Sequence, residues 1–168
     1  MFNMRVGFGK DIHKTKKGCK LILGGIEIPN KFGLVSHSDG DVVIHAIVDA
    51  LLGAMNKGDI GKLFPPTDLS LKGVSSVKFL EETGKILAES GYFVGNIDVF
   101  ITCERPKLSS FTGLMKEKIS SILGIDIDKV SIKCGTNEGF GWIGKCKAIE
   151  AECVALIEKV KWYETCKS

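Results

Sequence analysis

Two periods of apolar and polar positions run along this chain, and the switches between them mark its elements. Residues 5–9 read as a strand continuing toward His13. Residues 21–28 carry a Gly24-Gly25 break and read as a hairpin edge closed by Pro29-Asn30. Over residues 39–55 the apolar positions Val42, Ala46, Val48, Leu52 and Met55 follow the helical repeat. Ser38 with Asp41 three residues on resembles a capping box, Asp replacing the usual Glu, and the helix is expected to end near Gly58. Residues 61–73, with Pro65, Pro66 and Asp68, read as a loop. Residues 75–89 form a second predicted helix, with Val77, Leu80, Gly84 and Leu87 on one side and Gly91 as its stop. Residues 96–103 alternate as a strand, with Ile97, Val99 and Ile101 on one face, and Pro106 ends the run. Residues 108–123 read as a helix closed by Gly124, and residues 130–134 as a short strand. Residues 147–162 read as a last helix, with Ile149, Cys153, Leu156 and Val160 facing the core and Trp162 at its end. Strands alternate with helices and some strands follow one another directly. The expected class is therefore α/β (α+β), with a mixed sheet and helices packed on one face.

Length changes this picture little: 168 residues suit one domain with a real core. The charge balance, 23 basic against 20 acidic residues for a net +3, is too even to argue for nucleic acid or a membrane surface, and neither is expected as a partner. Lys14, Lys16, Lys17 and Lys20 cluster, as a solvated loop or as a local field for phosphate. Six cysteines stand at positions 19, 103, 134, 146, 153 and 166 without a Cys-x-x-Cys pair. Those at 103, 134 and 153 fall in apolar stretches and read as buried free thiols of a reducing compartment. No apolar run approaches the ~20 residues that span a bilayer, and no signal-peptide core precedes Arg5. The expected location is cytoplasmic, or plastid if a transit segment was removed.

The candidate chemistry starts at Asp11-Ile12-His13. On an extended chain residues i and i+2 point to one side, so a carboxylate and an imidazole are aimed together. The chain has three histidines; the other two, His37 and His45, lie at the entry to the first helix and within it. Asp11, His13 and His45 read as a zinc set that leaves a fourth tetrahedral position open, or as a polar strand end and a core histidine on an apolar helix face. Asp49, one turn after His45, is placed to accept the other imidazole N–H. Asp39, Asp41 and Asp59 read equally as caps or as acceptors for sugar or polyol hydroxyls. Glu138, in the small-residue run that follows the strand at residues 130–134, suits Mg²⁺ beside a diphosphate, or simply a polar turn. Arg105-Pro106-Lys107 reads as a surface turn or a phosphate grip.

Taken together, residues 5–13, 23–29, 37–54 and 58–65 resemble the 2-C-methyl-D-erythritol 2,4-cyclodiphosphate synthases, and the match extends to about residue 159. That resemblance implies zinc on Asp11, His13 and His45, and Mg²⁺ or Mn²⁺ held with the help of Glu138. It implies His37 and Ser38 over a diphosphate, Asp41, Asp59 and Gly61 near polyol and ribose, and a cytidine pocket from Lys107, Leu108, Cys134, Gly135 and Thr136. It also implies a ferredoxin-like subunit in a homotrimer, with active sites between neighbours and Trp142 and Lys145 beside an axial cavity. Several positions depart from the family pattern: Phe8, Lys10, Pro66, Gly135, Asn137, Trp142 and Lys145. The implied substrate is a cytidyl diphosphate whose own phosphate attacks intramolecularly, so no protein nucleophile is needed. A zinc phosphohydrolase and a non-catalytic binding module are the rival readings.

Overall fold

A computed structural model describes residues 3–65 and 67–159; Pro66, Val160, Trp162 and Cys166 lie outside the described residues. Its main sheet has the order β4-β1-β7-β5-β6. The strands are β1 (Met4–Lys17), β4 (Phe32–Leu34), β5 (Tyr92–Thr102), β6 (Val130–Gly135) and β7 (Ala148–Lys159). β7 lies between β1 and β5 and is antiparallel to both. β5 and β6 are parallel, because α4 (Thr112–Leu123) carries the chain back across the sheet between them. A separate hairpin, β2 (Leu21–Leu23) and β3 (Ile26–Ile28), turns at Gly24 and Gly25, both with positive φ.

Alternation along the strands sets the core. On β5 Ile97, Val99 and Ile101 are buried, and on β7 Ile149, Ala151, Cys153, Ala155 and Ile157. These side chains form one cluster with α1 (Val42–Ala54), α3 (Val77–Glu89) and α4. The opposite face of the sheet stays open and carries Val6, Phe8, Ile12, Phe100 and Val154. The mixed sheet with helices on one face is thus as expected from the pattern.

Five expectations differ from the structure. Residues 148–159 are a strand, not a helix. The spacing of Ile149, Cys153 and Leu156 fits a helix, but Ile149, Ala151, Cys153, Ala155 and Ile157 also fit a period of two. Alanine and cysteine are small enough that this second pattern reads weakly, and two neighbouring strands decide the outcome. The extra strand also changes the topology. A ferredoxin-like subunit runs β-α-β-β-α-β, whereas the long strands here run β1, β5, β6, β7 with helices before β5 and before β6. The cap of α1 is Asp41 itself, whose carboxylate accepts from Val43 N and Ile44 N, rather than a Ser38–Asp41 box, and the helix closes at Met55. The stretch after it holds a short helix, α2 (Ile60–Leu63), and a 3-10 turn at Leu69–Leu71. Cys134 is exposed, unlike Cys103 and Cys153, because β6 is an edge strand and this residue stands near its end.

Candidate active site

The site begins with how closely α1 lies on β1. Gly7, Gly9, Asp11 and His13 share the helix-facing side of β1 by alternation. A Cβ on Gly7 would stand 1.8 Å from Ala50 O, and one on Gly9 2.0 Å from Ala46 O. With no side chain at either glycine, and only alanines at 46, 50 and 54, helix and strand touch backbone to backbone. His45, beside Ala46, is thereby laid against Asp11 and His13.

There the ligand atoms of Asp11, His13 and His45 all fall within 4.8 Å of one another. His45 Nδ1 is 2.8 Å from Asp11 Oδ2, and His13 Nε2 is 3.5 Å from the same oxygen. His13 Nδ1 lies 2.9 Å from its neighbour's carbonyl, Ile12 O, which can only accept. Nδ1 therefore carries the proton, and the Nε2 lone pair points inward. That Nε2 is buried with no hydrogen-bond partner. An unsatisfied lone pair beside a carboxylate and a second imidazole is the environment a divalent cation satisfies. Burial works to raise the Asp11 carboxyl, but when the imidazoles are protonated the His45 hydrogen bond and the neighbouring His13 charge outweigh it and hold it below the ordinary range. The three residues therefore fit a metal ion by their donor chemistry.

The triad opens into a cleft of about 220 Å³ that His37, Ser38, Asp49, Gly61, Phe64, Leu71 and Phe79 complete. Ser38 Oγ is 3.2 Å from His45 Nε2. His37 is tied to the 3-10 turn region, its Nε2 lying 3.4 Å from Asp68 O. Asp59 is exposed at the start of α2, capping Lys62 N. Phe64 and Phe79 stack at 4.5 Å and form the apolar side.

Two carboxylates have other work than expected. Asp49 does not hold His45; its Oδ1 accepts from Ile60 N at 2.7 Å and ties α2 to α1. Asp41 is fully buried, and its two oxygens accept from Gly24, Gly25, Val43 and Ile44 N–H groups. It has no face left for a polyol hydroxyl. Burial pushes its carboxyl up to about 6, against the pull of those N–H groups. It joins the β2–β3 hairpin to α1.

The remaining expected residues are not brought to this cleft by a single chain. In register, Asp11 pairs with Ala151, Ala151 with Ile101, and Ile101 with Cys134. Three strand spacings, roughly 14 Å, therefore separate Asp11 from Cys134. Gly135, Thr136 and Glu138 follow Cys134 at the same end of the sheet. Glu138 is exposed, has a left-handed φ of 48° and accepts from Thr136 Oγ1 at 2.7 Å. Lys107 is exposed and Leu108 buried in the turn after β5. Lys145 lines a different, basic cleft with Lys17, Lys31, Arg105 and Lys147.

Sequence reasoning missed Ser76, which is fully buried with Oγ 2.8 Å from His45 Nε2. At a predicted helix start it reads as a cap, and nothing in the spacing sets it apart. It also missed the signal of Gly7 and Gly9 facing alanines one helical turn apart, which was available as a close-packing pattern.

A relative from Clostridium beijerinckii named 2-C-methyl-D-erythritol 2,4-cyclodiphosphate synthase is 48% identical over 157 residues, covering 94% of this chain and 99% of its own. Among solved structures, IspF of Plasmodium falciparum in complex with CDP superposes with a TM-score of 0.84 at 36% identity, covering 96% of this chain and 99% of that one. The bifunctional IspDF of Campylobacter jejuni gives a TM-score of 0.93 at 33% identity, and this chain covers 44% of that larger protein. The sequence profile described as the YgbB family matches residues 4–158, and with that match the chain belongs to the YgbB family.

Proposed function

We propose that this chain is a cyclodiphosphate synthase. It converts 4-diphosphocytidyl-2-C-methyl-D-erythritol 2-phosphate to 2-C-methyl-D-erythritol 2,4-cyclodiphosphate and CMP, in isoprenoid precursor synthesis. The observation that carries this reading is the convergence of Asp11, His13 and His45 on one point in a cleft edged by His37 and Ser38. The near full-length match to relatives of that name gives the triad its substrate class.

An oxygen of the substrate's 2-phosphate attacks the β-phosphorus. The bond from that phosphorus to the bridging oxygen of the α-phosphate breaks, and CMP leaves with the oxygen. Both partners are on one molecule, so the protein's task is to fold a flexible polyanion onto itself. Asp11, His13 and His45 would hold zinc, which supplies Lewis-acid polarisation of a phosphoryl oxygen when bound. His37 and Ser38 orient the diphosphate from the loop above, and Gly61 and Asp59 line its polyol and ribose side. Glu138 would share a Mg²⁺ or Mn²⁺ ion with the diphosphate, an arrangement suited to hard oxygen ligands. Lys107, Leu108, Cys134, Gly135 and Thr136 would receive the cytidine.

We read the working form as a homotrimer with a site at each junction between subunits. Three observations support this. A cleft of about 220 Å³ is below the ~300–1,000 Å³ usual for a bound ligand. The cytidine and Glu138 groups stand three strands away from the triad. The open face of the sheet exposes Val6, Phe8, Ile12, Phe100 and Val154, an apolar surface that a monomer seldom leaves bare. The partners are then the substrate and two further copies, with no nucleic acid or membrane. No helix among the described residues is long and apolar enough to cross a bilayer. Free thiols at Cys103 and Cys153 suit a cytoplasmic setting.

Phosphorus NMR of the reaction tests the proposal. A cyclic diphosphate appearing with CMP is the expected result. Uncyclised phosphates in its place would overturn it in favour of hydrolysis.

A further inference from the structure

We propose that Ser76 and Asp39 are positioning residues that fix the His45 imidazole as its Nε2–H tautomer, so that its Nδ1 lone pair faces the metal. The inference rests on the metal reading of Asp11, His13 and His45.

Asp39 receives Ser76 twice: Oδ2 accepts from Ser76 N at 2.9 Å, and Oδ1 accepts from the Ser76 hydroxyl. A carboxylate only accepts, so the one hydroxyl proton of Ser76 is spent on Asp39. Ser76 Oγ therefore turns a lone pair toward His45 Nε2 at 2.8 Å, and Nε2 must carry the ring proton. Ser38 Oγ, at 3.2 Å, is the longer second contact of the same nitrogen. In the neutral ring, the form that binds a metal, the other nitrogen, Nδ1, is then unprotonated, yet it sits 2.8 Å from Asp11 Oδ2, itself an acceptor. Two lone pairs held that close, with the orphaned His13 Nε2 beside them, converge on a cation.

Ser76 also forgoes an ordinary role to do this. It occupies the N-cap position of α3, where a serine hydroxyl usually accepts from a backbone N–H in the first turn. Here it makes no such cap bond, although it is fully buried. The hydroxyl is committed to Asp39 and His45 instead. His13 has its own device, the Ile12 carbonyl. The two imidazoles are thus locked in opposite tautomers, with Nε2 of one and Nδ1 of the other presented to the same point.

Asp39→Asn is the sharp test. Its oxygen must stay on Ser76 N, the firmer contact at 2.9 Å, against 3.3 Å for Asp41 N on the other oxygen. Its NH₂ then faces Ser76 Oγ, and the serine hydroxyl is released to donate to His45 Nε2. The His45 tautomer flips and the Nδ1 lone pair is lost. The readouts are imidazole nitrogen-15 shifts of the zinc-free protein, taken well above the histidine range, and zinc affinity by chelator competition. Wild type shows His45 as Nε2–H and His13 as Nδ1–H. Asp39→Asn shows His45 as Nδ1–H with His13 unchanged, and zinc affinity falls ~10–100-fold, the range for partners that orient a ligand. Ser76→Ala loses the His45 preference and weakens zinc similarly, while Ser76→Thr keeps both. An unchanged His45 tautomer and unchanged zinc affinity in Asp39→Asn overturn the proposal, and that variant decides alone if Ser76→Ala does not fold. Wild type that binds no zinc would instead overturn the metal reading on which it rests.

Discussion

Asp11 is held between opposing demands. Burial disfavours its charge, and the two imidazoles, when protonated, favour it strongly enough to keep the carboxyl below its usual range. Removing it leaves His13 and His45 as neutral ligands with no counter-charge for a divalent ion. Asp11→Ala, His13→Ala and His45→Ala should each weaken zinc by more than ~100-fold, beyond the loss expected from an orienting partner. CMP release should fall with the metal. Zinc titration and a CMP assay on the same preparations check this, and a variant that lacks zinc yet turns over normally would sink it. All three members of the triad were legible in the sequence as candidate ligands, because Asp-x-His on a strand fixes a shared side and His45 lies in a strongly patterned helix. Their supports were not. Asp49 looked like the partner of His45 because helical spacing shows only local neighbours. The actual partner, Ser76, comes from another helix 31 residues away.

Elements put these residues in place through two features with opposite sensitivities to substitution. Gly9→Ala inserts a carbon 2.0 Å from Ala46 O, so α1 must move away from β1. We expect a loss of ~1–3 kcal/mol, as for other overpacked cores, accompanied by weaker zinc. Gly53→Ala, in the same helix, meets nothing nearer than Phe8 O at 4.0 Å. It should stabilise by ~0.5–1 kcal/mol, the usual helix-interior difference between the two residues. Urea unfolding of the pair decides whether the close approach is real. Asp41→Ala deprives four backbone N–H groups of their acceptor and should cost ~3 kcal/mol or more. Its carboxyl, raised from 3.8 to about 6 in the folded chain, contributes stability that is full at low pH and is lost as pH climbs through that window. Carbon-13 titration of the Asp41 carboxyl should show the high midpoint; an ordinary midpoint near 3.8 would refute it. The helices and most strands could be read from apolar spacing. β7 could not, since its core-facing set includes three small residues, Ala151, Cys153 and Ala155, whose period of two is faint until β1 and β5 flank it.

On the scale of the whole molecule, the two halves of the expected chemistry stand at the same end of one sheet but three strands apart. A single chain with an open apolar sheet face is consistent with a site completed by a neighbour. Mixing Asp11→Ala and Glu138→Ala subunits tests this directly. Each variant alone should be inactive, and randomly mixed trimers should regain about a quarter of wild-type activity, since one junction in four pairs an intact Asp11 with an intact Glu138. No recovery in trimers proven to be mixed would place both residues in one subunit's site. The proposed assembly is not visible in periodicity; it enters through resemblance, and the exposed face supports it. The central claim is that a metal on Asp11, His13 and His45 is required for ring closure. The most direct measurement is CMP release from the cytidyl-diphospho substrate in Mg²⁺, before zinc removal, after it, and after zinc is restored. Activity lost with zinc and regained on its return is the predicted result. Undiminished CMP release from protein shown to be zinc-free would contradict it.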